Sequence, residues 1–136
     1  MKELTVEIVT PSKSAFSGKA KSVTVPGAAG SFQVLYNHAP IISSLEIGLI
    51  KIEDIDGKVL IFAASGGTIE VLDNHVLLLV ESIETPEEID TKRAEEAKAR
   101  AKERLSINYK DKVDLTRAEA SLNRAVNRLK VAQKQN

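Results

Sequence analysis

The side chains with the most evident chemistry in this sequence of 136 residues are its six arginines, all at or after residue 93. Arg93 and Arg100 are seven residues apart and so share one face of a helix, and Arg117, Arg124 and Arg128 form a similar row. Guanidinium groups bind phosphates and carboxylates bidentately. The pattern alone favours a solvated charged face with pairs such as Glu96–Arg100. Anion binding by the two rows is the alternative.

Groups for covalent or metal chemistry are scarce. Cysteine is absent, and His38 and His75 have no carboxylate at a ligand-like spacing. A Ser-Gly-Gly string at 65–67 is not followed by a helix and has no Lys-Ser/Thr partner, which excludes a phosphate loop or a nucleophile elbow. The glycine pair indicates a bulge or a close backbone approach. We therefore expect no catalytic residues and no metal site, and we expect that the chain is not an enzyme.

Residues 1–84 show the pattern of a β-domain. Apolar and polar residues alternate from Leu4 to Val80, and β-branched residues fill most apolar positions. Turn residues recur every 8–12 positions, and Asp56-Gly57 and Asp73-Asn74 suit tight hairpins. The spacing predicts a small antiparallel β-sandwich or flattened barrel with about eight to ten short strands.

Residues 85–136 show the pattern of an antiparallel helical hairpin. Thr85-Pro86-Glu87-Glu88 has the form of a capping box, and no glycine or proline follows up to Leu105. A break at 106–111 precedes a second helix, in which Leu115, Leu122 and Leu129 recur every seven residues with Ala118, Ala125 or Val126, and Ala132 between them. Such a narrow seam buries little apolar area, so we expect a marginally stable element that can change shape.

The register of this hairpin bears on the arginines. With the turn near residue 109, facing positions sum to about 217, which sets Arg93 against Arg124 and Asp90 near Arg128. If both arginine rows face inward, the arrangement is costly unless a carboxylate or a bound polyanion neutralises it. Nine acidic residues are interleaved and Tyr109 is the only aromatic residue of this half, which argues against nucleic acid.

The net charge of zero conceals a division at residue 84. The first part carries a balance of −4 and the second +4. The apolar runs are far shorter than the roughly 18 residues of a membrane span, and the first residues have no leader-like pattern. These features predict a protein that stays on the reducing side of a membrane.

Several strings in this order resemble the epsilon subunit of the bacterial and chloroplast F-type ATP synthase. They are FSG at 16–18, NHAPIISSLEIGLIKI at 37–52, SGGTIEV at 65–71, IDTKRA at 89–94 and RAEASLNRAVNRLKVA at 117–132. The chain departs from many members at Phe32-Gln33. The resemblance implies a non-catalytic rotor subunit whose β-sandwich binds the gamma subunit and the c-ring. The hairpin, when extended, would contact the catalytic alpha and beta subunits and inhibit ATP hydrolysis.

The resemblance also implies a nucleotide site in the compact hairpin. Some members bind ATP through an I/L-D-x-x-R-A motif, which Ile89, Asp90, Arg93 and Ala94 match. The other positions that match the family's site are Glu84, Arg100, Arg124 and Arg128. ATP would then be a regulatory ligand and not a substrate. With the resemblance, the anion-binding interpretation of the arginines becomes the favoured one.

Three alternatives stay open at this point. The chain is a nucleotide-sensing rotor subunit, the same subunit without nucleotide binding, or a β-sandwich adaptor with a helical arm for an unrelated protein. For the rotor subunit we expect a monomer when isolated, with no nucleic acid bound and membrane association only through the complex. Its expected place is the cytoplasmic face of the bacterial inner membrane, or less favourably the stromal side of the thylakoid.

Overall fold

The computed structural model describes residues 2–106 and 112–134, and the side chains of residues 112–114 are outside the description. The backbone divides into two compact units, residues 1–84 and residues 85–136. The first unit consists of strands and the second of two helices with a preceding short turn. The predicted fold class, a β-domain followed by a helical hairpin, is confirmed.

The first unit contains seven strands within the described residues, fewer than the eight to ten that the turn spacing predicts. They are β1 (Leu4–Val9), β2 (Ser14–Gly27), β3 (Gly30–Leu35), β4 (Ile41–Asp54), β5 (Val59–Leu72), β6 (His75–Val80) and β7 (Ile83–Glu84). The number is lower because β2, β4 and β5 each run for 14 residues. Glycines at 48 and 66–67 lie inside these long strands and do not end them.

The strands close on themselves around the core. Their order is β1-β6-β5-β4-β2-β3, and β1 also pairs with β2, so five strands form a closed path. All pairs are antiparallel except β1 with β6, which are parallel. β3 and β7 each add to one side of a long strand. Closure leaves few unpaired edges on this unit.

The core follows from the two-residue alternation. On β1, Leu4, Val6 and Ile8 are fully buried, and their neighbours in sequence face away. The long strands contribute the remaining large buried side chains: Val23, Val25, Ile50, Ile52, Ile69 and Val71. Val34 of β3 and Val76 and Leu78 of β6 complete this set. The apolar cluster is continuous, which makes the unit a fixed support for whatever its surface binds.

Positive backbone angles mark the turns that the sequence predicts. Gly57 has φ +85°, and Asp73 and Asn74 have φ +48° and +63°, so both hairpin turns are confirmed. Asn37, after β3, also has φ +63°. Its backbone N–H donates to Asn74 Oδ1 at 2.6 Å, and Asn74 Nδ2 donates to Asn37 Oδ1 at 3.2 Å. This pair ties the loop after β3 to the β5–β6 turn.

The second unit begins with two helix starts in place of the single one expected. The Thr85 N–H donates to Glu88 Oε1 at 3.0 Å and the Glu88 N–H to Thr85 Oγ1 at 3.3 Å, so the capping box is confirmed. It opens only a 3₁₀ turn, Pro86–Glu88, because Ile89 is extended with ψ 121° and buried. Asp90 then starts a new helix.

The two helices are α1 (Thr91–Ser106) and α2 (Lys112–Gln133). The predicted continuous helix from Thr85 to Leu105 is therefore wrong at its start. Burying Ile89 pulls its backbone out of helical geometry, and the carboxylate of Asp90 compensates by capping α1, accepting from the Arg93 N–H at 3.0 Å.

The close approach of β5 to β6 gives a first testable prediction. A Cβ added to Gly67, which has φ +151°, would overlap the Leu79 carbonyl oxygen. We expect Gly67→Ala to lower the free energy of unfolding by about 2–4 kcal/mol in urea titrations of the full chain. The control is Gly30→Ala, where φ is +128° and no atom lies within 4 Å; its cost should be only about 1 kcal/mol. Equal losses in both variants would contradict the packing argument.

Candidate functional site

Alanines form the buried seam of the hairpin. Ala94 and Ala101 on α1, and Ala118, Ala125 and Ala132 on α2, are all less than 9% exposed. In each helix they recur every seven residues. The sequence predicts a seam of leucines with alanines between them; the alanines are buried as expected, whereas Leu115, Leu122 and Leu129 are only half-buried. Small side chains let two helix backbones approach closely, so the leucines flank the seam.

The arginines lie beside this seam and not within it. At about 100° per residue, Arg93, Arg100 and Arg104 lie roughly 90° around α1 from its alanine row. Arg117, Arg124 and Arg128 lie at a similar angle, in the same sense, around α2. Two antiparallel helices that face each other through their alanines are related by a local twofold axis. Side chains at the same angle from the alanine row of each helix therefore lie on the same side of the hairpin. All six arginines therefore share one face of the hairpin, which we call the arginine face.

Among the described helical side chains, no lysine lies on the arginine face. The helical lysines Lys92, Lys98, Lys102 and Lys130 lie at least about 100° around their helices from the centre of each arginine row. Glu95 and Glu119 lie on the far side in the same way, whereas Glu96 lies about 60° from the centre of the α1 row. A face built only for solubility has no reason to separate arginine from lysine, whereas bidentate binding of multivalent oxyanions by planar guanidinium groups does. The sorting favours anion recognition.

Most of the arginine side chains are also exposed to solvent. Arg93, Arg100, Arg104, Arg117 and Arg124 are exposed, and Arg128 is half-buried. Arg124 Nη2 donates to Ser121 Oγ at 3.2 Å. Among the described residues, no carboxylate lies at ion-pair distance from Arg93, Arg100, Arg104 or Arg117. The Glu96–Arg100 pair expected for a solvated face is thus not formed, and neither arginine row faces into the seam.

Each residue of the I-D-x-x-R-A string has a defined place. Ile89 is 7% exposed and Ala94 is fully buried, so both pack within the hairpin unit. Asp90 is exposed, and its Oδ1 caps α1. Only the Arg93 side chain has no structural task in this unit. Glu84, the remaining predicted site residue, is the last residue of β7 in the first unit.

The histidines occupy turns. His38 Nδ1 lies 2.6 Å from the Ala39 carbonyl oxygen, and His75 Nδ1 lies 3.0 Å from that of Asp73. In the described part of the chain, no three side chains of His, Cys, Asp or Glu are grouped so as to hold a metal ion. No described helix has both the length and the apolar composition of a membrane span.

The β-domain carries an apolar surface that sequence periodicity did not reveal. Ile42 is 76% exposed and Leu72 is 49% exposed, and they line a shallow depression of ≈ 350 Å³ together with Pro40. Leu35 and Tyr36 are also exposed and precede Asn37, which is bonded to the turn after Leu72. Exposed apolar side chains in one region are typical of protein-docking surfaces. We call these five residues the docking surface.

Comparison with known proteins places both units in one family. Residues 3–86 match the family model "ATP synthase, Delta/Epsilon chain, beta-sandwich domain", and residues 87–133 match "ATP synthase, Delta/Epsilon chain, long alpha-helix domain". The chain is 47% identical over 111 residues to the ATP synthase epsilon chain of Salinibacter ruber, covering 76% of this chain and 74% of that one. It is 46% identical to that of Pelotomaculum thermopropionicum, covering 74% and 75%.

Solved structures share the fold at lower identity. A chain of the Euglena gracilis mitochondrial ATP synthase, in a structure of OSCP, F1 and the c-ring, superposes with a TM-score of 0.80 at 20% identity. The match covers 90% of this chain and 77% of that one. A chain of the Tetrahymena thermophila central stalk and c-ring structure gives a TM-score of 0.69 at 16% identity, covering 95% and 96%.

The alanine seam gives a second testable prediction. Replacing Ala101 by Leu inserts a large side chain where the two helices approach, and we expect it to destabilise the hairpin by about 1–3 kcal/mol. Hydrogen exchange of the α1 and α2 amides in the full chain measures this, with the β-domain amides as an internal reference. Ala99→Leu, at an exposed position on the same helix, is the matched control. Unchanged protection in Ala101→Leu would show that the seam is not closely packed.

Proposed function

The chain belongs to the ATP synthase delta/epsilon family and is an epsilon subunit of F-type ATP synthase, and from this premise we propose that its compact hairpin binds ATP as a regulatory signal. In this proposal the subunit is non-catalytic. It belongs to the central rotor, helps to couple ion flow to ATP synthesis, and inhibits ATP hydrolysis when its hairpin extends.

The observation that carries the nucleotide proposal is the arginine face. Arg93, Arg124 and Arg128 come from two helices onto one side of the hairpin, and Arg100 follows on the same face. Convergent guanidinium groups match the charge and geometry of a triphosphate. Asp90 lies at the start of α1, beside Arg93, where its exposed carboxylate suits the amino edge of adenine. Ile89 is buried and is included from the family pattern. Ala94 allows the close helix packing that brings the rows together. Glu84 is included from the family pattern.

The seam explains how a ligand would act on the conformation. Alanine buries little apolar area, so the folded hairpin is favoured over an open one by only a small free energy. ATP bound to arginines of both helices would stabilise the closed form alone. A ligand shifts a population by its difference in affinity for the two states. High ATP would therefore keep the hairpin compact and relieve inhibition, whereas low ATP would release α1 and α2 to contact the catalytic alpha and beta subunits.

The β-domain is proposed to dock on the gamma subunit and the c-ring. The docking surface supplies exposed apolar groups, and the closed sheet holds them in place. The similar solved chains come from central-stalk and c-ring assemblies. Docked in this way, the subunit would be peripheral to the cytoplasmic face of a bacterial inner membrane, reaching the membrane only through the complex. The isolated chain would be a monomer.

The nearest competing function is the same rotor subunit without nucleotide binding. Its arginines would serve only the extended state, in contacts with acidic segments of the catalytic subunits. The segregation of arginine from lysine favours the nucleotide, because a lysine ammonium serves as well as a guanidinium for long-range attraction to an acidic surface.

Calorimetry tests ATP binding directly. We expect the full chain to bind ATP and the double variant Arg93→Gln, Arg124→Gln to bind at least about a hundredfold more weakly, because it loses two charge-assisted contacts. The double variant Lys98→Gln, Lys102→Gln removes the same charge outside the arginine face and should keep its affinity. No heat in wild type, or equal heats in the two double variants, would reject nucleotide sensing.

Truncation tests the division of tasks. Deleting residues 86–136 leaves every strand of the first unit intact, so we expect a folded domain with a cooperative unfolding transition that still copurifies with gamma. The reconstituted complex should lose its inhibition of ATP hydrolysis. An unfolded truncated chain would show that the β-domain depends on the hairpin, and retained inhibition would show that the hairpin is not the inhibitory element.

A further inference from the structure

The hairpin contains an internal sequence repeat. Residues 90–105 and 114–129 share the pattern D-x-x-R-A-E-x-x-x-x-R-A-x-x-R-L, with eight of sixteen positions identical at a constant offset of 24 residues. All six arginines of the chain belong to the shared positions. The I-D-x-x-R-A string of α1 therefore has a counterpart, V-D-L-T-R-A, at residues 113–118.

The repeat makes the arginine face nearly symmetric. The buried alanines of the repeat are Ala94 and Ala101 in the first copy and Ala118 and Ala125 in the second. In an antiparallel hairpin these four alanines match when Ala94 is level with Ala125 and Ala101 with Ala118. The local twofold axis that relates the helices then also relates the two copies of the repeat.

This symmetry divides the arginines into two sets. The first set is Arg93, Arg124 and Arg128. When the α2 residues are projected onto the α1 axis in that register, this set spans about 6 Å at 1.5 Å per residue. The second set, which is Arg100, Arg104 and Arg117, has the same span and lies about 13 Å further along the hairpin. The offset of 24 residues converts each member of one set into a member of the other.

We propose that the second arginine set is a separate binding site for a phosphate-type anion. Arg100, Arg104 and Arg117 are exposed, and among the described residues none has a carboxylate at ion-pair distance. Arg100 lies seven residues from Arg93, about 10 Å along the helix axis, and so is nearer to Arg104 and Arg117. Because the family pattern also places Arg100 in the nucleotide site, the test relies on Arg104 and Arg117, which that pattern does not include. Three guanidinium groups on one face are matched by a multivalent oxyanion.

The second site takes phosphate without a base. Arg93 of the first set is close in sequence to Ile89, which is buried, and to Asp90, whose carboxylate caps the start of α1. The counterparts of Ile89 and Asp90 in the second copy are Val113 and Asp114, whereas Glu84 and Thr85, which precede the first copy, correspond to Asn108 and Tyr109. The inference rests on the three arginines alone, whose guanidinium groups match phosphate oxygens, so the class of ligand is pyrophosphate or a longer inorganic polyphosphate. The inference uses the same face as the proposed nucleotide site, but it does not require ATP to bind.

The test uses the full chain with pyrophosphate as the probe. Titration followed by the arginine Nε–Hε signals in NMR should show two binding events, one that shifts Arg104 and Arg117 and one that shifts Arg93 and Arg124. Arg104→Gln, Arg117→Gln should weaken the former at least about tenfold and leave the latter unchanged. Lys98→Gln, Lys102→Gln is the control of equal charge and should alter neither event.

Two further arms keep the outcome interpretable. Arg104→Lys, Arg117→Lys keeps the charge but loses the bidentate fork, so weakened pyrophosphate binding in this variant supports a site rather than general attraction. Circular dichroism confirms that each variant keeps its helices. Equal weakening by the Arg→Gln and Lys→Gln pairs would overturn the second site. If the unsubstituted chain does not bind ATP but pyrophosphate still shifts the NMR signals of Arg104 and Arg117, the nucleotide proposal is rejected and the second site is supported.

Discussion

Close packing of alanine against alanine is the constraint on which the hairpin depends. Because Ala94, Ala101, Ala118 and Ala125 fill the seam, the helices approach closely and the long side chains on their flanks lie near one another. The same small residues keep the seam weak, since each buries only a methyl group. The small alanine side chains are thus the common cause of two properties. They let the arginine rows lie close together, and they make the folded hairpin only weakly stable. A leucine seam would separate the arginine rows and hold the helices together more firmly.

The β-domain is the opposite kind of structure. Its strands close into a continuous path around a core of valine, isoleucine and leucine, and its turns are fixed by residues with positive φ. The bonded pair Asn37–Asn74 joins two of these turns next to the docking surface. A central-stalk subunit needs such a fixed attachment, and the proposed response to ATP needs a weak element. The two units differ in this way.

Much of this architecture could be predicted from local chemistry, and the errors have physical causes. The capping box at Thr85 and the hairpin turns at Asp56 and Asp73 depend on neighbours in sequence, so their patterns were sufficient. The end of the first helical turn depends on burial of Ile89, which is a tertiary effect. Turn spacing predicts more strands than the structure has because Gly48 and Gly67 lie inside long strands, where Gly67 makes the close backbone approach that the glycine pair predicts. In the predicted seam of leucines and alanines, only the alanines are fully buried, because which residues of a narrow seam face the partner helix is a tertiary effect.

The exclusion of lysine from the arginine face has a consequence for chemical modification. Acetylation neutralises lysine and does not act on arginine. Lys92, Lys102 and Lys130 are exposed and lie away from the arginine face, so acylation of all three would remove positive charge from the hairpin without touching an anion contact. Acylation would thus change the net charge of the subunit and leave the six guanidinium groups of the arginine face unmodified.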